Sequence, residues 1–405
     1  MYYKKIIYVI ILVIFSSQVF ADSWRPNQVG SFLSSKIARS ITDIENSAYF
    51  AEYSYNRNPD SFALGAIALE ALIANGQIIE ALPIGLKISK NMPEITLAQY
   101  ISMIDSLNSN SYSKVLDVLL NISPNGIDNF ILPILQTWAA AGSNKELGGL
   151  EIMKGQANRG VLDPLYDYQS ALIYEFIGDI ENAHISYKNI IKRSNNANAH
   201  VYSRAAIFFA NNNLPDLYTE TLNKLETIDP YSNELFILKK NENYAKETKI
   251  SNIKQGISEV FLNSAEILFN EGLDRQALIY AQISSYLEPK SDSANYLLGR
   301  IFKSINNNER ATKYFKKVNE YSLVIHDANI AYAETLYDIE GLSNSKEFLN
   351  NMKKSFPDNI NYLRTMAELF YKADDFESSI KYYDLIFEKI DKIEFKHWPL
   401  FYASG

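Results

Sequence analysis

With 405 residues, 47% of them hydrophobic and 21% charged, the chain holds too much apolar material to stay disordered and too much length for one compact core; several domains or a repeat array are the remaining solutions. Its net charge of −8 and pI near 5.3 speak against a nucleic-acid binder, which needs a basic face. The lack of cysteine excludes disulfides, zinc–thiolate sites and a thiol nucleophile.

Lys4 and Lys5 precede an unbroken apolar run from Ile6 to Phe15, and Val19-Phe20-Ala21 leads to Asp22. This is the pattern of a secretory signal over residues 1–21, cleaved after Ala21, with an uncleaved membrane anchor as the rival reading. The run is shorter than the roughly 20 residues a helix needs to cross a bilayer, so no transmembrane span is expected after cleavage. An exported chain without disulfides must be held by packing alone.

From there the chain reads as helices in pairs. Pro59 and Pro93 lie 34 residues apart, and Pro289 and Pro357 lie 68 apart, each after an apolar helical run. Proline stops the second helix of a pair because it lacks an N–H and its ring clashes with the preceding turn. Residues 22–163 carry weak copies starting near Gln28, Phe62 and Thr96, then a further one around Trp138–Gly142. Residues 164–231 carry a clear copy (Pro164, Ala171, Tyr174, Gly178-Asp179, Ala183, Tyr187) and a degenerate one with Ala205 and Phe208 but Leu217 where a small residue belongs. The spacing fails over 232–257, where Lys239, Lys240, Glu242, Lys246, Glu247, Lys249 and Lys254 predict a charged helical spacer with a solvated face.

Residues 258–397 keep the period best. With Ser258, Asp292, His326 and Ile360 as first positions, position 8 holds Ala265, Gly299, Ala333 and Ala367, and position 20 holds Ala277, Ala311, Ser345 and Ser379. Small residues at both places let two helix axes approach closely. Position 11 (Leu268, Phe302, Leu336, Phe370) and position 24 (Ala281, Phe315, Leu349, Tyr383) carry mainly the large partners. Residues 398–405 begin another first helix with Trp398, Leu400, Phe401 and Tyr402, which suggests a shortened copy of a longer array.

This pattern resembles the tetratricopeptide (TPR) family, whose repeat is a 34-residue helix–turn–helix, and the arrangement is similar to exported multi-TPR proteins of Gram-negative bacteria. The resemblance implies an all-α fold, an α-solenoid of helix pairs wound into a right-handed superhelix. It also implies a groove lined by positions 2, 5, 9, 12 and 13 of the first helices. Read onto this sequence, the groove residues are Tyr168, Tyr202, Phe209, Phe269, Tyr296, Arg300, Lys303, Tyr337, Asn361, Arg364, Tyr371 and Lys372. Tyrosines on a mixed-charge background suit a peptide or a partner helix.

No nucleophile elbow, Walker loop, dinucleotide fingerprint or H-E-x-x-H occurs, and His184, His200, His326 and His397 have no ligand spacing. No catalytic residue, cofactor or metal is therefore expected. The sequence is read as a non-enzymatic periplasmic scaffold or adaptor that binds a protein or peptide of the cell envelope, with self-association open to it. The alternative is an accessory or regulatory subunit of a complex that builds or exports envelope polysaccharide or cell wall.

Overall fold

The computed structural model describes residues 27–143, 163–193, 199–240, 249–390 and 397–404. The signal reading (1–21), Glu242, Lys246 and Glu247 of the spacer, and Gly405 lie outside them. The chain divides into two compact units, 1–98 and 99–405. Every ordered element among the described residues is helical.

The first unit holds α1 (Gln28–Ser40), α2 (Ile44–Arg57), α3 (Phe62–Ala74) and α4 (Ile78–Asn91), stacked as two hairpins. Side chains of Asn27, Asp43 and Ser61 accept from the first-turn amides of α1, α2 and α3, satisfying donors that helix geometry leaves open. Ala48, Ala51, Ala68, Leu72 and Ala81 fill the interface. Arg39 grips Glu70 with two bonds of 3.2 Å between the hairpins.

The second unit begins with most of α5 (Thr96–Asn108), then α6 (Tyr112–Leu120) and α7 (Asp128–Gly142). Next come α8 (Asp163–Ile177), α9 (Ile180–Arg193), α10 (Ala199–Asn211), α11 (Pro215–Ile228) and the short α12 (Asn233–Lys240). The strict repeats follow as four hairpins. They are α13 (Ile253–Asn270) with α14 (Asp274–Leu287), α15 (Asp292–Ser304) with α16 (Asn308–Phe315), α17 (Ile325–Glu340) with α18 (Leu342–Ser355), and α19 (Asn361–Lys372) with α20 (Phe376–Phe387). α21 (Trp398–Ser404) packs on α20.

The hairpin solenoid is the expected one. α14 ends two residues before Pro289 and α18 two before Pro357, as α2 and α4 do before Pro59 and Pro93. The small positions are interior: Ala277, Ala311 and Ser345 have no exposed surface, nor do Ala265, Ala333 and Ala367. A Cβ at Gly299 would sit 2.4 Å from the Phe315 ring. The turn inside each hairpin also repeats. A residue in the left-handed region stands at Thr42 (φ 59°), Gly76 (84°) and Asn110 (51°), and again at Gly272 (73°) and Asn306 (61°), 34 residues apart within each run. That conformation ends the first helix and aims the second back along it. The backbone keeps the period even where side chains in the N-terminal copies have drifted.

Three features were not expected. First, α13 starts at Ile253, five residues ahead of the repeat's first position, and packs on α7 as well as on α14. Gly256 permits this, since a Cβ there would lie 2.4 Å from the Trp138 ring. Second, the intervening block 163–240 lies along the first helices of the strict repeats. The Gln169 amide donates to Asn263 on α13 at 2.8 Å, and Asn233 of α12 donates to Asp327 on α17 at 2.8 Å. Third, α12 turns Leu235, Ile237 and Leu238 inward while Lys239 and Lys240 stay exposed.

Candidate functional site

The second unit leaves eight of the twelve candidate residues with accessible surface, Tyr371 and Lys372 exposed and the other six, Arg364 among them, half-buried. α13, α15, α17 and α19 are successive first helices, so residues 34 apart form rows across them. Arg300 lies over both Phe269 (4.8 Å) and Tyr296 (5.6 Å). Lys303 on α15 pairs with Glu334 on α17, and Lys372 on α19 reaches back to Asp338 on α17 at 2.6 Å while covering the Tyr337 ring at 4.7 Å. Arg364 pairs with Glu368 at 3.6 Å. Tyr371 is 63% exposed and meets Phe376 edge to face.

These residues make a strip of aromatic faces stitched by cross-helix ion pairs. Tyr296 and Tyr337 are half-buried, Lys372 is exposed, and Phe269, Arg300 and Lys303 are intermediate. Burial pushes the Tyr296 hydroxyl well above its ordinary range, with the nearby Asp327 charge acting the same way, so it stays a neutral donor.

The other four candidates are interior and cannot present a binding face. Tyr202 and Phe209 have no exposed surface; every residue of α10 from 202 to 209 is buried, and Phe209 packs against Tyr187 and His184. Tyr168 is 1% exposed and donates to Glu259 at 3.0 Å. Asn361 is covered by the chain itself, donating to Tyr231 O at 2.7 Å and Asn233 Oδ1 at 2.8 Å. The segment before and through α12 thus covers the position-2 edge of the expected groove at Asn361, while positions 5, 9, 12 and 13 of the strict repeats keep accessible surface at Tyr296, Arg300, Lys303 and Lys372.

Three polar clusters went unread in the sequence, because their members come from distant segments. Asp128 accepts from Tyr100 (2.6 Å) and Tyr280 (2.5 Å), and burial raises its carboxyl above the usual range. Glu175, Arg204 and Tyr187 form a buried triad, with Arg204 to Glu175 at 2.8 Å. Glu259 faces Tyr168, His200 (3.5 Å) and Asn263. Burial alone would lower His200, but its bond to Glu259 and that residue's charge overcome this and raise it to about 9. His326 goes the other way. Buried 2.6 Å from the Tyr362 hydroxyl, with the Lys240 charge adding to the effect of burial, it falls to about 4.

Among the described residues no group of three or more His, Asp or Glu is placed to hold a metal ion, and no helix is long and apolar enough to cross a membrane.

No family model and no curated protein matches the chain. Solved structures that align with it include Pseudomonas aeruginosa pilF (16% identity, 60% of this chain and 98% of that one, TM-score 0.29). Yeast Tom70 aligns at 12% identity over 95% of this chain and 89% of its own, with a TM-score of 0.32. The P58(IPK) TPR domain aligns at 12% identity over 93% and 97%, with a TM-score of 0.25. Likenesses this low carry nothing about partner or location; the helix-hairpin fold rests on the chain's own repeats.

Proposed function

We propose that this chain is an exported TPR-type scaffold that binds a protein or peptide partner of the cell envelope on the strip formed by α13, α15, α17 and α19. The observation that carries the reading is the 34-residue recurrence of accessible aromatic and charged side chains on successive first helices. Rigid aromatic faces flanked by arginine and lysine supply large contact area at little entropic cost, as interface centres do. Cross-helix pairs such as Lys372–Asp338 contribute little to stability at this exposure. They are available to re-pair with a ligand.

Export rests on the basic-then-apolar N-terminus and its small residues before Asp22. Fractionation followed by N-terminal sequencing tests it: a mature chain starting at Asp22 in the periplasm is expected, and an uncleaved cytoplasmic chain overturns it. The binding reading is tested by affinity capture from envelope extracts with the wild type and an Arg300→Ala/Tyr371→Ala/Lys372→Ala variant. Partners should be lost from the variant while its melting temperature stays within a few degrees, because none of the three side chains is fully buried. Equal capture by both proteins would refute the strip, and captured material that is chiefly glycan would refute the protein-partner reading.

A further inference from the structure

A cavity of about 980 Å³ opens in the second unit away from this strip, among the connections between hairpins. Its inner wall is the Tyr168–His200–Glu259 cluster. Its rim carries Lys249, ahead of α13; Lys290, in the turn before α15; and Lys317, in the connection after α16. The three lysines are exposed, and among the described residues none is paired with a carboxylate, though the Lys317 ammonium lies 4.4 Å over the Tyr314 ring.

Each acid that lines the cavity accepts a hydrogen bond from within the chain, and among the described residues only Glu259 faces a cationic side chain. Glu259 accepts from Tyr168 and faces His200, which is protonated at neutral pH. Asp292 accepts the Asn319 backbone N–H at 2.9 Å. Glu288 accepts the Lys290 backbone N–H at 3.3 Å. The N-terminal turns of the long helices α13 and α15, at Gln255 and at Ser291 to Ser293, also face the space and favour negative charge.

We propose that this cavity takes an acidic segment of a polypeptide, its carboxylates met by Lys249, Lys290 and Lys317. In a chain of net charge −8, a recess whose three ammonium groups have no carboxylate partner among the described residues is where such a segment is drawn. Three flexible point charges on separate segments suit carboxylates spaced along an extended chain. A glycan would want aromatic faces to stack on, and the rim offers Tyr321 beside lysines and small hydroxyl side chains. The inference deepens the peptide-binding reading by adding a second docking point with its own chemistry.

The test is fluorescence anisotropy with the full chain and a fluorescein-labelled ten-residue poly-glutamate, with an oligogalacturonate of similar charge as competitor. Binding is expected at low ionic strength, weakening as salt rises. Lys249→Ala/Lys290→Ala/Lys317→Ala should weaken it at least tenfold, while a control triple at exposed lysines elsewhere (Lys188, Lys354 and Lys389, each to Ala) changes it less than twofold. Unchanged binding in the cavity triple, equal losses in both triples, or no binding by the wild type would overturn the proposal. Tighter binding of the oligogalacturonate than of the peptide would do the same. The strip variant Arg300→Ala/Tyr371→Ala/Lys372→Ala should bind poly-glutamate as the wild type does, so failure here and failure of the strip are told apart.

Discussion

Gly299→Ala separates two opposed physical effects at one atom. Gly299 sits inside α15, where helix propensity alone predicts that alanine stabilises by up to about 1 kcal/mol. The structure predicts the opposite sign. The new Cβ would lie 2.4, 2.5 and 2.9 Å from three atoms of the Phe315 ring, whereas ordinary contact begins near 3.4 Å, so the ring must retreat by roughly 1 Å. Phe315 is 3% exposed and packs against Tyr296 at 6.2 Å, which leaves little room for that retreat. Overpacking of this kind costs about 1–3 kcal/mol, so the net loss should reach up to about 2 kcal/mol after the propensity gain. Hydrogen exchange of α15 and α16 amides is the suitable readout, since repeat arrays open locally and a single melting point blurs the change. Phe315→Leu should by itself be destabilising, yet added to Gly299→Ala it should restore part of the loss, a coupling visible in a double-mutant cycle. A stabilised Gly299→Ala chain, or strictly additive losses, would refute the claim that this small residue exists to let the two helices of the pair nest.

Two further outcomes follow from the buried polar groups. His326 is 2% exposed and depressed to about 4, against 6.5 when unfolded, so its contribution is present above pH 6.5 and is lost as pH falls toward 4. Over that window the loss is at most about 3 kcal/mol. Urea midpoints measured from pH 7 to 4.5 should fall more steeply for the wild type than for His326→Asn, and parallel curves would contradict the assignment. Tyr280→Phe removes one of two hydroxyls donating to the buried Asp128, tying α14 to α7, and should cost about 1–3 kcal/mol by urea unfolding. A neutral result would mean the carboxylate is satisfied without it.

The sequence by itself determined the helix pair, its interval and which side chains face inward within a pair. Ala277, Ala311, Ser345 and Gly299 were legible because close helix contact admits only small residues and the interval repeats them. The prolines were legible because a backbone without an N–H cannot continue a helix. The accessible half of the candidate strip followed from the same register. Tertiary structure alone decided what lies against the outer faces of those pairs. Tyr202, Phe209, Tyr168 and Asn361 sit at groove positions by register, yet later or intervening segments fold over them. The Asn233–Asp327 and Tyr100–Asp128–Tyr280 contacts join residues 94, 28 and 152 positions apart. Periodicity reports the face a helix turns to its nearest neighbour in sequence. It holds no record of which distant segment covers the opposite face, because that choice depends on shape and polar pairing that exist only once the chain has packed.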